Sequence, residues 1–301
     1  MIKDKVLLVG NGINSIKTAY SWEKLINGLI SYVGSVGQIK INDKPFPLLY
    51  EEILFEGVRN EVIKKEEDLK KNIAKEVTKI KPNDIHEQVM NSEYEYILTT
   101  NYEYTLELSQ GIKQEDLKNV GVVNENIYSL FRKTKVKDTH IWHIHGECNS
   151  SRTIALGYEH YGGYLQQMRN YVQTGIWKSA KKPLGSVSKR IRKKSFKYYS
   201  WIDFFFTKHI YIIGFTLDFV EMHLWWLLTY RARRKFIDKA KINNKIYYFY
   251  PDFIADDITN KLQLLKSNDV ISLSTKVKNG DMRDYYEKVL KKVKRLPQFL
   301  V

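Results

Sequence analysis

Six short apolar runs recur along the chain, at Val6–Val9, Tyr96–Thr99, His140–His145, His209–Ile213, Lys245–Phe249 and Val270–Leu273. Their length and their content of β-branched and aromatic residues mark them as strands. The intervals carry helical spacing instead. Residues 21–33 place Trp22, Leu25, Ile26, Leu29, Ile30 and Val33 on one stripe, 60–80 read as a charged amphipathic helix, and 219–240 as a helix aromatic at its start and basic at its end. Strands alternating with helices fold as a parallel sheet covered on both faces. The expectation is an α/β, Rossmann-like parallel sheet of about six strands, with helices on both faces and a small helical or loop insertion.

A chain of 301 residues is long enough to bury a full core. One domain over 1–301 is expected, with a basic insertion or cap around 150–200. The opening segment MIKDKVLLVG is charged and enters a strand at once, which predicts no signal peptide. The most apolar region, 201–215, is broken by Asp203, Lys208 and His209 and is too short to span a bilayer. A single cysteine, Cys148, excludes an intramolecular disulfide and a four-cysteine zinc module. The expected location is the cytoplasm, without membrane contact.

The net charge is +15, from 49 basic and 34 acidic residues. Richness in Lys, Ile, Asn and Tyr together is what AT-rich coding produces, so the total says little by itself. The local run 178–197 says more, with nine Lys or Arg in twenty residues and no acid. It reads either as a solvated loop or as a contact for nucleic acid or an acidic partner.

Four segments put glycine or polar residues at the carboxyl ends of predicted strands, where open α/β sheets bind ligands. Gly10-Asn11-Gly12-Ile13-Asn14 follows the first strand and reads as a structural turn or as a phosphate cradle. It lacks both the third glycine and the later acid of the dinucleotide fingerprint, and the Gly-Lys-Ser/Thr of a P-loop. Thr99-Thr100-Asn101-Tyr102-Glu103 ends the second strand, with Asn101 either a helix cap or a ligand contact. In THIWHIHGEC, His143 and His145 share a face by period two, and His145 before Gly146 suits a general base. With only Glu147 and Cys148 as further ligands nearby, no metal is expected. Gly214-Phe215-Thr216 follows the most apolar strand, as a tight turn or another close approach to ligand.

In this order, Gly-x-Gly, Thr-Thr-Asn-Tyr, His-Gly and Ile-Gly-Phe-Thr, the chain resembles the sirtuin-like domains of bacterial antiphage defence proteins. The SWEKLI helix and IALGYEHYGGYL (154–165) add to the likeness, which covers about residues 5–230. One cysteine favours the zinc-free branch, whose members hydrolyse NAD. The sequence departs from the family with Glu103 where Asp is usual, Asn11 for Ala and Asn14 for Ser. The resemblance implies NAD⁺ as substrate and no metal, with nicotinamide–ribose cleavage as the reaction and NAD depletion in antiphage defence as its purpose. It implies Asn101 and His145 as catalytic residues. Gly10, Asn11, Gly12, Asn14, Thr100, Glu103, Gly214 and Thr216 would hold the dinucleotide. Regulation is expected through a homo-oligomer or a separately encoded ATPase or nuclease, with nucleic acid as a further contact for 178–197 and with 231–236 as a second basic contact. The alternatives are a degenerate nucleotide-binding regulatory subunit, a zinc-free deacylase or ADP-ribosyl transferase, and a nucleic-acid-binding protein without catalysis.

Overall fold

The structure, a computed structural model, describes residues 2–16, 21–121, 125, 127–176 and 182–296, with the side chains of Ile2 and Lys3 left aside. Lys178 and Lys181 of the basic run lie outside the described residues. Among the described residues there are eight strands: β1 (Ile2–Val9), β2 (Tyr94–Thr99), β3 (Asn119–Val120), β4 (Lys133–Val136), β5 (Thr139–His143), β6 (His209–Ile213), β7 (Ile246–Pro251) and β8 (Val270–Thr275). They form one sheet in the order β3-β4-β5-β2-β1-β6-β7-β8.

All six expected strands are present, and they are the parallel ones. The sheet is larger than expected and mixed, because β3 and β4 add antiparallel pairs at one edge. Only Lys137 and Asp138 separate β4 from β5, and a connection that short can join strands only as a hairpin. One further expectation is corrected at β5, which ends at His143 rather than His145. Among the parallel strands, the chain steps from β1 outward to β2 and β5, returns to β6 on the other side of β1, then steps outward to β7 and β8.

Alternation along the strands feeds two cores. Val6, Leu8, Leu98, Trp142, Ile210 and Ile212 point to one face, where they meet α6 (Tyr158–Thr174), α7 (Val187–Lys193), α8 (Phe204–Thr207), α9 (Met222–Phe236) and α10 (Thr259–Ser267). Leu7, Val9, Ile97, Ile141, Tyr211 and Ile213 point to the other, against α4 (Asp84–Met90), α5 (Thr105–Leu108) and α11 (Met282–Arg295). The α6–α7 stretch thus belongs to the core of a sheet face through Tyr164, Met168, Tyr171 and Val187.

A third cluster lies at the carboxyl ends of the strands. It joins α1 (Trp22–Tyr32), α2 (Phe46–Arg59) and α3 (Glu66–Val77) to Tyr102, Tyr104, Ile154 and Leu156. The helix expected over 60–80 begins only at Glu66. Asn60 instead caps α2, and Asp68 Oδ2 accepts hydrogen bonds from the Lys64 and Lys65 amides to start α3. No helix among the described residues is long and apolar enough to cross a membrane.

Candidate active site at the strand ends

Register sets the site. Thr99 of β2 is the partner of His143 in β5, so Asn101 and His145 each stand two residues beyond a matched pair. The chain has left the strand by then. The Ile144 amide donates to the Thr99 carbonyl at 2.8 Å, and Gly146, at φ +96°, turns back so that the Ala155 amide reaches the His145 carbonyl at 2.8 Å.

Asn101 is 5% exposed, and among the described residues neither its Oδ1 nor its Nδ2 has a hydrogen-bond partner. It is not a helix cap, since the next helix starts at Thr105 after Tyr104. It lines a cleft with Asn11, Trp22, Leu25, Val77, Ile80, Tyr102 and Glu103 whose free volume is about 10 Å³, roughly the room of one water.

Asn11, Asn14 and Glu103 are brought together beside it. Asn14 Nδ2 donates to Asn11 Oδ1 at 2.7 Å and to Glu103 Oε1 at 2.8 Å. Asn14 Oδ1 lies 2.9 Å from His86 Nε2, and Asn83, the N-cap of α4, donates from Nδ2 to the Ile13 carbonyl at 2.7 Å. This chain of bonds fastens the first loop to the end of β2. Burial pushes the Glu103 carboxyl above its ordinary range, against the bonds from Asn14 and Thr105.

The glycines serve close packing. The Gly10 amide donates to the Ile213 carbonyl at 2.9 Å and the Gly12 amide to that of Gly214 at 2.8 Å. A Cβ on Gly10 would stand 2.5 Å from the Gly214 oxygen and 2.6 Å from Phe215 Cα, and one on Gly12 would strike the Tyr286 hydroxyl of α11. Both N–H groups are therefore spent on the β6 loop. Thr100 donates its amide to the Val9 carbonyl at 3.2 Å. Thr216 is exposed, and its carbonyl accepts from Tyr248 at 3.2 Å and Lys261 at 3.1 Å.

His143 and His145 diverge. His143 Nδ1 meets the Asn101 carbonyl at 2.8 Å and Nε2 meets Glu107 Oε1 at 2.9 Å. Burial opposes its charge, but the Glu107 carboxylate outweighs burial and holds the imidazole up to about 9. His145 instead faces α9: its Nε2 is 3.1 Å from His223 Nε2 and 3.3 Å from Glu221 Oε2. Tyr161 sets its ring edge-on to His145 and donates to Glu221 Oε1 at 3.5 Å. Burial pushes His145 down to about 3 and Glu221 up to about 8. Tyr102 lines the cleft and donates its hydroxyl to the Ala155 carbonyl at 3.0 Å, and burial and then the Glu221 charge raise its phenol. Sequence reasoning missed Glu221 and His223. Their Glu-x-His spacing at the start of α9, just past the Gly-Phe-Thr loop, was the available signal.

A mostly parallel, mixed eight-stranded sheet with helices on both faces defines an α/β protein, with buried polar groups gathered at its strand ends. The chain belongs to the AbiH family, described as bacteriophage abortive infection AbiH, which matches residues 49–243. That membership supports an antiphage role. The match takes in Asn101, His145, Glu221 and His223 and leaves out the loop 10–14. No curated protein matches the chain.

Proposed function

We propose that the chain is a sirtuin-like NAD⁺ hydrolase that depletes NAD in abortive infection. The observation that carries this reading is the Asn101 amide at the end of β2, buried and without a hydrogen-bond partner among the described residues. A buried amide without partners costs about 1–3 kcal/mol, a cost a fold keeps where a ligand supplies the missing bonds. The reversal of strand order beside β1 supports a Rossmann-like reading of the sheet.

The reaction breaks the bond between nicotinamide and ribose. Nicotinamide leaves neutral with the bonding electron pair, positive charge builds on the ribose, and water adds at the same carbon and loses a proton. Asn101 orients the ribose or the water. The neutral His145 imidazole accepts the proton, and the Glu221 carboxyl at 3.3 Å orients the ring. Glu103 holds the first loop through Asn14 rather than the carboxamide.

With about 10 Å³ free, the cleft admits a dinucleotide only once the α1–α3 layer moves off the strand ends. The conformation described is then a resting one. This agrees with the need to restrain an enzyme that would kill its own cell. Assembly in the cytoplasm, with itself or with a separately encoded ATPase or nuclease, is the proposed trigger.

The test is nicotinamide release from NAD⁺ by the purified chain over a protein-concentration series. Asn101→Ala and His145→Ala are each expected to lower the rate by about 10²-fold or more. Full activity in either folded variant would remove that residue from the reaction. Saturable NAD⁺ binding without release under every condition would make the chain a nucleotide sensor instead.

A further inference from the structure

We propose that His145, Glu221 and one imidazole nitrogen of His223 bind a divalent first-row transition-metal ion of the zinc class. The three side chains come from the turn after β5 and the start of α9, and their donor atoms all lie within 4.8 Å of one another. His145 Nε2 is 3.1 Å from His223 Nε2 and 3.3 Å from Glu221 Oε2, and His223 Nδ1 is 3.9 Å from the same oxygen. Ligands at about 2.0–2.2 Å from a tetrahedral ion stand roughly 3.4 Å apart. With His223 binding through Nε2, the 3.1 Å to that nitrogen and the 3.3 Å to Glu221 Oε2, both measured from His145 Nε2, lie just under that value.

Hydrogen bonding within the group leaves a deficit. The two imidazoles can share one hydrogen between their Nε2 atoms, yet among the described residues Glu221 Oε2 and His223 Nδ1 are buried without a hydrogen bond, with Glu221 Oε2 only within ion-pair reach of His223 Nδ1 and of His145. Glu221 is 8% exposed and His223 is fully enclosed. Meanwhile Glu221 Oε1 takes the Tyr161 hydroxyl, which orients the carboxylate and leaves Oε2 for an ion, as an outer partner does in metal sites. The ring of Tyr164, 5.0 Å from His223, fixes that imidazole from behind.

Donor chemistry selects the ion. Two imidazoles and one carboxylate suit zinc, iron(II), cobalt or nickel, whereas magnesium and calcium take oxygen sets. Three protein donors leave a fourth position open, the pattern of reactive rather than structural sites. The positive end of α9 works against a cation by about 0.3–1 kcal/mol, small beside the ~10 kcal/mol or more of tight zinc binding.

The site stands on ligand geometry and goes beyond the proposed hydrolysis, with one consequence for it. An ion on His145 takes the one basic lone pair of the neutral imidazole, so metal binding and proton acceptance in the proposed NAD⁺ cleavage exclude each other.

The experiment uses the full chain, stripped with chelator, without NAD⁺, titrated with Co²⁺ and followed by visible absorption, then competed with Zn²⁺. One equivalent of Co²⁺ per chain is expected, with the visible bands of a four- or five-coordinate ion that Zn²⁺ abolishes. Glu221→Gln and His223→Gln should each weaken binding at least 10-fold, while His140→Gln should leave it unchanged. The wild-type chain should also melt at higher temperature in Zn²⁺, a readout that survives if a variant fails to fold. No stoichiometric binding by wild type, or unchanged affinity in the folded Glu221 and His223 variants, overturns the site. Because NAD⁺ is absent throughout, failure here leaves the hydrolase reading standing, and the reverse holds as well.

Discussion

At the scale of single residues, Asn101 separates a functional origin from a structural one. A side chain kept for the fold loses stability when truncated, whereas one kept for a ligand against its own desolvation does not. Asn101→Ala removes two buried atoms that bond to nothing among the described residues. Its midpoint in urea is expected to stay level or to rise by up to about 2 kcal/mol in free energy, while nicotinamide release collapses. A loss of stability above about 1 kcal/mol would make the amide structural. His86 behaves in the opposite sense. Burial pushes it down to about 4, below an unfolded value of about 6.5, so the fold favours the neutral ring. Its contribution is complete above pH 6.5 and is lost as pH falls towards 4. The carboxylates of Asp84 and Glu107 pull the other way but do not overcome burial. Between pH 7 and pH 5, His86 should cost the chain about 2 kcal/mol of stability. Urea unfolding at both pH values checks this, and His86→Gln should flatten the difference. An equal loss in the variant would assign the acid sensitivity elsewhere.

At the scale of elements, the first loop is held by contact on three sides: β6 below, α11 beside it, and α4 through Asn83. Adding a methyl group tests which contact matters. Gly12→Ala meets the end of the Tyr286 side chain as well as the Gly214 oxygen at 2.9 Å, whereas Gly10→Ala meets only the backbone of Gly214 and the Phe215 residue. Each should destabilise by about 1–3 kcal/mol. Tyr286→Phe should recover part of the loss in the Gly12 variant and none in the Gly10 variant, measured by thermal melts; equal rescue of both would place the strain outside the loop. The same loop shows what a sequence can reveal. Its glycines were legible as a close approach, but whether to phosphate or to a neighbouring strand depends on the partner of strand one, which no local pattern encodes. The six parallel strands were legible because each is a continuous apolar run. β4, Lys-Thr-Lys-Val, is short and charged on its outer face, and its Lys-Asp turn lacks the usual hairpin signal. α2 went unread in the sequence; its Pro45 and Pro47 sit where a helix start tolerates them. Asn101 and His145 were legible as candidates because each follows a strand, with their catalytic roles implied only by the resemblance. Glu221 and His223 were not, because their pairing with His145 spans some 78 residues and is created by the packing of α9.

At the scale of the whole molecule, a net charge of +15 overstates the cations a partner can reach. Lys5 is buried, with Nζ donating to the carbonyls of Val293, Lys294 and Leu296 at the end of α11. Arg231 is buried, donating to the carbonyls of Phe205 and Asn244 and paired with Asp269 at 2.7 Å. Arg190, in the middle of the basic run, is buried as well and paired with Asp203 at 2.6 Å under the Tyr171 ring. The run is therefore partly a fold element and partly a surface, with Arg192, Lys193 and Lys194 on the exposed side of the turn that ends α7. Charge reversal discriminates only when it respects that division. Arg190→Glu should cost about 3–5 kcal/mol by leaving Asp203 buried beside a like charge, and its loss of activity would say nothing about partners. The Arg192→Glu, Lys193→Glu double variant should keep the stability of the parent within about 0.5 kcal/mol. If assembly or an acidic partner acts through this face, the double variant should lose the rise in nicotinamide release with protein concentration or added DNA, while its basal rate is unchanged. A response retained in full would clear the basic face of any part in the switch and turn attention to the α1–α3 layer that closes the cleft.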